Sequence, residues 1–273
     1  MPSIYARFFI AQEEIFTVFD LKNTEKSLTG TRASIRISLS NIIMCNTLAK
    51  RNSFRGVPKQ RFEGGELMLD YITWYGHATM KLSGEKIVYI DPFEMKHKKY
   101  EPADIVLITH DHYDHCSPGD IAKVAKPSTV ILAPKSCQGK LKGNVKIITA
   151  GETVTEQGVQ IEAVPAYNLN KKFHPKSAGG VGYIVTLNGK RIYQAGDTDF
   201  IPEMQQIKAD VAILPIGGTY TMTAAEAADA ANTIQTEVAI PMHYGSIIGS
   251  MRDAQTFKRL TNVPVDILPL AKG

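Results

Sequence analysis

The chain of 273 residues has no long hydrophobic run and only three cysteines. No stretch approaches the 18 or so apolar residues of a membrane span, so no transmembrane helix is predicted. Glu13 and Glu14 interrupt the apolar patch near the N-terminus, a pattern that is not typical of a secretory signal. Cys45, Cys116 and Cys137 are too few, and odd in number, for a disulfide framework. These features favour a cytoplasmic protein.

The chain also lacks a basic surface outside its first quarter. Residues 1–67 hold ten Lys or Arg and six Asp or Glu, whereas residues 68–273 hold 21 of each. The net charge of +4 therefore belongs to the first segment and gives no support for a nucleic-acid role. We predict a small-molecule substrate and no nucleic-acid or membrane partner, and a homo-oligomer remains open.

Residues 1–67 differ in pattern from residues 68–273, which we predict to form the catalytic domain. The first segment has no sustained period of 2 or 3.6 residues. Glu63-Gly64-Gly65-Glu66 can be encoded by codons with the form of a bacterial ribosome-binding site before Met68. One hypothesis is that Met68 is the natural start, and the alternative is a real but poorly patterned extension. The intact mass of the natively expressed protein distinguishes the two.

From Met68 onward, short β-rich runs alternate with turns and later with helices. The predicted strands cover residues 69–75, 86–90, 104–109, 129–133, 145–148, 159–164, 182–187, 191–195, 211–214 and 238–240. Asn188-Gly189 predicts a hairpin turn. A capped helix is predicted from Ser117 through Lys126, and a capping box at Thr223 begins another that ends near Thr233. This order predicts an α/β sandwich with helices outside two packed sheets.

One run of residues carries the chemistry: Thr109-His110-Asp111-His112-Tyr113-Asp114-His115. It lies between a predicted strand and a predicted helix. In extended backbone His110 and His112 point the same way, and Asp114 and His115 then serve a second direction. Imidazole and carboxylate groups suit Zn²⁺, Fe²⁺ or Mn²⁺. The run predicts a metal site, and a solvated polar loop is the alternative.

Further metal ligands are expected at the ends of other strands. Asp197 follows the strand at 191–195, and His243 follows the strand at 238–240. Each taken alone would be read as a capping aspartate or a core histidine. Together with the histidine-rich run, both are predicted as ligands.

The order H-x-H-x-D-H, G-D-T and M-H-Y-G, with Asp91-Pro92 upstream, resembles the metallo-β-lactamase superfamily. Tyr75-Gly76-His77-Ala78 and residues 214–222 are similar to a branch of small metal-dependent hydrolases. That branch is related to ascorbate-6-phosphate lactonase and, more distantly, to N-acylphosphatidylethanolamine phospholipase D. The resemblance covers about Met68 to Leu270 and is specific for fold rather than substrate. It implies a four-layer αββα sandwich.

The resemblance also implies a division of roles. His110 and His112 would hold one metal, Asp114, His115 and His243 the other, with Asp197 bridging and Asp91 orienting the loop. Two divalent ions, Zn²⁺ or else Mn²⁺ or Fe²⁺, about 3.5–4 Å apart would activate a water toward an ester, lactone or phosphodiester. Asp114 would orient this nucleophile and help protonate the leaving group.

One position departs from the family pattern, which usually places a histidine after Pro-Ala-x. Here Asn168 stands at that position, and His174 follows six residues later in the same loop. Either His174 reaches the metal or the substrate, or Asn168 ligates weakly, or the first site is depleted. We favour His174 near the site.

Three functions follow from these residues. A hydrolase is the first, and full retention of Asp114 and His115 favours it. A mononuclear-iron oxidoreductase of the persulfide dioxygenase type is the alternative on the same fold. The third is a binding module that has lost catalytic activity, and only the asparagine at position 168 supports it.

Overall fold

The described part of the computed structural model, residues 61–63 and 66–272, contains two six-stranded sheets and a short strand pair. The strand pair is β1 (Arg61–Glu63) with β2 (Glu66–Met68). The first sheet contains, in spatial order, β3 (Ile72–Gly76), β4 (Thr79–Ser83), β5 (Ile87–Ile90), β6 (Ala103–Leu107), β7 (Ala125–Ala133) and β8 (Asn144–Ile147). The second contains β9 (Thr153–Glu156), β10 (Val159–Pro165), β11 (Val181–Leu187), β12 (Lys190–Gln194), β13 (Val211–Pro215) and β14 (Val238–Met242) in spatial order.

Each sheet has an antiparallel part and a parallel part. Strands β5 to β8 run parallel, and so do β12 to β14, whereas the remaining neighbours in the two sheets are antiparallel. Parallel neighbours end at the same edge of a sheet, so residues that follow β5 and β6, or β12 and β14, are brought close together.

The sheets are buried on both faces, which explains their nearly continuous apolar runs. In β5 and β6, Val88 and Leu107 belong to the large core cluster that includes residues of both sheets. Tyr89 and Val106 point the other way and pack with Ile121 of α1 (Pro118–Val124). On the second sheet, α2 (Ala224–Thr233) packs on β13 and on α3 (Met251–Leu260). The order helix, sheet, sheet, helix confirms the predicted sandwich.

Two predicted local features are confirmed and one is wrong. The Thr223 capping box is present, and Asn188 and Gly189 form the hairpin turn with φ of 53° and 72°. The helix predicted through Lys126 instead ends at Val124, and β7 begins at Ala125. Pro127 explains the error, because the residue before a proline is driven out of the helical region.

Two predictions fall largely outside the described residues. The first is the nature of residues 1–67, either a real extension or sequence that precedes a natural start at Met68. The second is the absence of a disulfide framework as it concerns Cys45. Both stay predictions. Cys116 and Cys137 are buried free thiols. In the part of the chain that is described, no helix is long and apolar enough to cross a membrane.

Candidate metal centre

The site residues follow the ends of strands in both sheets. The loop that carries His110 through His115 follows β6, and Asp91 follows β5. Asp197 follows β12 and His243 follows β14, and His174 lies in the loop between β10 and β11. One edge of the sandwich therefore collects side chains as far apart in the sequence as Asp91 and His243, which are 152 positions apart.

Three overlapping groups of side chains place their ligand atoms within 4.8 Å of one another. The groups are His110, His112 and His174; His110, His115 and Asp197; and His77, Asp114, His115 and His243. All six predicted metal ligands and the predicted His174 are thus brought together. His77 is an addition, because the sequence motif around it carried no specific role.

Asp197 connects these groups. Its Oδ1 lies 3.4 Å from His115 Nε2, and its Oδ2 lies 3.1 Å from His243 Nε2 and 3.5 Å from His174 Nε2. Only 4% of the residue is exposed. A buried carboxylate facing histidines from three separate loops has the position that a bridging ligand requires.

The inner atoms of this cluster fit a metal ion. The buried side-chain atoms without a hydrogen-bond partner in the described residues include His110 Nε2, His115 Nε2, His243 Nε2 and Asp197 Oδ1. Buried polar atoms are nearly always paired in folded proteins, so several unpaired atoms in one place indicate a ligand. Imidazole nitrogens with carboxylate oxygens are the donor set of divalent transition metals.

Asp91 holds the histidine-rich loop in place through hydrogen bonds. Its Oδ1 accepts the backbone N–H of Thr109 at 2.8 Å, and its Oδ2 accepts the Thr109 hydroxyl at 2.6 Å. The same Oδ2 lies 2.8 Å from His115 Nδ1. An imidazole that donates through Nδ1 keeps Nε2 free as a ligand, so the buried Asp91 selects the tautomer of His115 that a metal needs.

His77, which directly follows β3, contacts the ligand group that contains Asp114, His115 and His243. Its Nε2 lies 3.0 Å from Asp114 Oδ2, and its ring centroid is 3.9 Å from that of His243. Its backbone oxygen accepts the His243 N–H at 2.9 Å and the Trp74 indole N–H at 3.0 Å. His77 therefore fixes both a carboxylate and a histidine of the cluster.

His174 occupies the region that Asn168 leaves open. His174 Nε2 is 3.0 Å from His112 Nδ1, within the group that also contains His110. Asn168 Nδ2 donates to the backbone oxygens of Phe173 at 2.9 Å and Tyr220 at 2.7 Å. These bonds close the loop between the two residues and turn His174 toward His112. The structure thus favours His174 over Asn168 as the third side chain of this group.

Several site residues have strained backbone conformations. His77, Asp91, His174 and His243 have φ of 50°, 46°, 54° and 60°. The left-handed region costs a non-glycine residue about 1–2 kcal/mol, and such residues cluster at functional sites. The surrounding packing maintains these conformations, so no local sequence pattern reveals them.

Burial and neighbouring charges shift the pKa values of the buried site residues in different directions. Burial lowers the pKa of His110 well below its ordinary value. Burial acts on His115 in the same direction, but the carboxylates of Asp197 and Asp91 raise the pKa of His115 well above it. Burial disfavours the charged form of Asp197, but His243 and His115 keep the pKa of this carboxyl well below its ordinary value. The carboxylates of Asp197 and Asp91 therefore favour the protonated form of His115 when no other cation is present.

Metal binding is therefore expected to release a proton from His115 at neutral pH. The raised pKa means that the metal-free site still holds this proton above pH 6.5, and a cation must displace it from Nε2. We expect calorimetric titration with zinc at pH 7, in buffers of different ionisation enthalpy, to show that the wild-type protein releases about one more proton per chain than the His115→Gln variant. Equal release by the two proteins contradicts the assignment, and the difference should vanish above the folded-state pKa.

Comparison with known proteins places this geometry in a family. A family model described as a β-lactamase superfamily domain matches residues 71–243, more than half of the chain. The chain belongs to the metallo-β-lactamase superfamily. A metal-dependent hydrolase of Thermoplasma acidophilum is 35% identical over 205 residues, which cover 69% of this chain and 89% of that protein.

Solved structures agree with this assignment to the metallo-β-lactamase superfamily. The crystal structure of a metal-dependent hydrolase from Parabacteroides distasonis has 37% sequence identity and a TM-score of 0.66, covering 73% of this chain and 93% of that one. Igni18, a metallo hydrolase from Ignicoccus hospitalis, is 24% identical with a TM-score of 0.61, covers 74% and 95% of the two chains, and shows the same fold. The predicted family, fold and enzyme class, a metal-dependent hydrolase, are confirmed.

Proposed function

We propose that the chain is a two-metal hydrolase that cleaves an ester, lactone or phosphodiester bond of a small molecule. The observation that carries this proposal is the pair of ligand groups on either side of Asp197. His110, His112 and His174 would hold the first ion, and Asp114, His115 and His243 the second. Zn²⁺ suits these donors best, and Mn²⁺ and Fe²⁺ share them. We also propose a cytoplasmic location, since the described cysteines are free thiols.

Two bound divalent ions would supply Lewis acidity and a water whose pKa is lowered toward neutrality. The chain's own residues prepare the site for this chemistry. Asp91 and Thr109 hold the histidine-rich loop, and Asp197 holds negative charge between the two groups. Burial on both sides of the cluster excludes bulk water and strengthens each of these interactions.

Asp114 is suited to move a proton. Its side chain is 14% exposed, whereas that of Asp197 is 3% exposed, so Asp114 lies nearer the solvent side of the cluster. Burial opposes its ionisation, but the hydrogen bond from His77 keeps the pKa of Asp114 below its usual range. A carboxylate that is ionised at neutral pH accepts a proton from the attacking water and returns it to the leaving group.

Replacing Asp114 by Asn should therefore reduce kcat/KM by roughly 10²- to 10⁴-fold, since the amide keeps the shape but cannot take the proton. Asp111→Asn is the matched control, because Asp111 lies in the same loop and pairs with Lys140 at 2.6 Å. The measurement is hydrolysis of lactones, carboxylic esters and phosphodiesters by metal-loaded wild type and variants. Retained activity in Asp114→Asn removes its proposed role. Failure of fully loaded wild type to hydrolyse any of the three classes overturns the proposed function.

A further inference from the structure

Four aromatic side chains border the metal cluster and are called the aromatic rim: Phe93, Tyr113, Phe173 and Tyr220. They form two ring pairs, Phe93 with Tyr113 at 5.9 Å between centroids and Phe173 with Tyr220 at 4.9 Å. Tyr113 is 70% exposed and Phe173 is 46% exposed. Each ring pair thus exposes one aromatic side chain next to the polar site, and apolar ligands can cover such a surface.

Each pair lies beside a different ligand group. The Phe93 ring is 5.9 Å from the His77 ring, and Tyr113 stands between two predicted ligands in the chain. The Phe173 ring is 6.5 Å from the His112 ring. The backbone oxygens of Phe173 and Tyr220 both accept from Asn168, so the bonds that place His174 also place this second pair. The aromatic rim is therefore fixed in position relative to the cluster.

The cavity beside the first ligand group is small, and none of the four rim residues lines it. This cavity of about 40 Å³ adjoins His110, His112, His174 and Asp197. That volume has room for a few water molecules but not for the body of an organic substrate. The part of a substrate beyond the cleaved bond must rest outside this cavity. The rim rings that lie beside His77 and His112 are apolar surfaces next to the cluster.

Charged groups near the site do not favour a phosphate monoester. Within the described residues, Lys140 pairs with Asp111, Lys171 with Asp199, and Lys176 with Glu203. These pairs neutralise Lys140 and two of the three lysines in the loop between β10 and β11, so Lys172 is the one lysine of that loop without an ion pair to a described residue. A dianionic terminal phosphate is usually held by arginine or lysine side chains that are not already neutralised. A neutral ester or lactone, or a singly charged phosphodiester, matches these surroundings better.

We propose that the aromatic rim binds an aryl group of the substrate next to the bond that is cleaved. This inference rests on the proposed function and narrows its substrate class to aryl-substituted esters, lactones or phosphodiesters. Face and edge contacts with Tyr113 and Phe173 would select such a group over a methyl group at the same position.

The test compares aryl and methyl partners of the same substrate. Zinc-loaded protein is given three pairs in which a phenyl group is replaced by a methyl group: γ-phenyl- and γ-methyl-γ-butyrolactone, methyl phenylacetate and methyl propionate, and benzyl methyl phosphate and ethyl methyl phosphate. Wild type, Tyr113→Ser and Phe173→Ser are compared, with Ile147→Thr as control because Ile147 is 43% exposed on β8, away from the rim. Taking the ratio between proteins cancels the intrinsic reactivity of each substrate.

The same four proteins are also titrated calorimetrically with phenylphosphonate and methylphosphonate, which measures the aryl preference without catalysis. We expect the ratio of phenyl to methyl hydrolysis, and the ratio of phenyl to methyl binding, to fall about 3- to 10-fold in each rim variant. Ile147→Thr should retain both ratios.

The outcomes separate the two proposals. Three results overturn the role of the rim but not the proposed hydrolase function. They are hydrolysis without a phenyl preference, a phenyl preference that both rim variants retain, and a phenyl preference that falls equally in Ile147→Thr. If the protein hydrolyses none of the six substrates, which cover all three classes, the proposed function is overturned. A phenylphosphonate preference that the rim variants lose would still support the role of the rim.

Discussion

Asp197→Asn is expected to abolish metal-dependent hydrolysis, with a loss of at least about a thousandfold, or about 4 kcal/mol of transition-state stabilisation. Asparagine has nearly the same shape but no charge. It would leave His115, His174 and His243 around a neutral amide that cannot bridge two cations. The metal content should fall together with the activity.

The matched control for this variant is Asp210→Asn. Asp210 immediately precedes β13 in the same sheet and is only partly buried, with Lys190 at 2.9 Å. Asp210 lies at the amino end of β13, whereas Asp197 and His243 follow the carboxyl ends of β12 and β14. Activity should therefore stay within about threefold of wild type, as for most changes outside a site. Metal content is measured by mass spectrometry after dialysis, and activity on whichever substrate class the wild type hydrolyses. Full metal content and activity in Asp197→Asn would contradict the bridging role.

His174→Gln is expected to lose one of two metal ions and reduce hydrolysis by more than about a hundredfold, because the first ion would keep only His110 and His112 besides Asp197. Asn168→Ala removes the bonds to Phe173 and Tyr220 that hold the loop. As a positioning residue it should weaken metal binding by about 10- to 100-fold, less than the loss of the ligand itself. The two variants are compared by metal titration and by folded-state circular dichroism.

The opposite order of effects would identify a different ligand. Asn168 Oδ1 is buried and has no hydrogen-bond partner, so it also has a free acceptor near the first group. If Asn168→Ala loses an ion while His174→Gln keeps two, Asn168 completes the site and His174 acts on the substrate. Both outcomes concern the same loop, between β10 and β11, in which the family pattern and this chain differ.

Much of the site was predictable because its residue types follow strand ends. The run His110 to His115 comes after an apolar strand, and Asp197 and His243 follow strands in the same way. Parallel neighbours end at one edge, so three separate motifs predicted one cluster. The sandwich followed from the order of strands and helices. The family resemblance supplied what periodicity cannot, namely the four-layer αββα arrangement.

The remaining features depend on long-range packing. His77 acts through Asp114 and His243, and nothing in its own motif indicates those contacts. Strand β4 was not predicted, although its residues pack on β3 and β5. Helix α3 was also missed, yet Ser250 and Asp253 carry its capping-box signal in the sequence. The predicted small-molecule substrate, the absence of nucleic-acid and membrane partners, and a homo-oligomer stay predictions.

The central claim is that this metallo-β-lactamase-fold hydrolase works with two divalent ions. The most direct test is the metal content of the purified protein, measured with its oxygen consumption and its hydrolysis of esters, lactones and phosphodiesters. The arrangement of ligands on both sides of Asp197 predicts two ions per chain, hydrolysis that a chelator removes and zinc restores, and no oxygen uptake. One iron per chain with oxygen consumption and no hydrolysis would contradict it and establish the mononuclear-iron oxidoreductase instead.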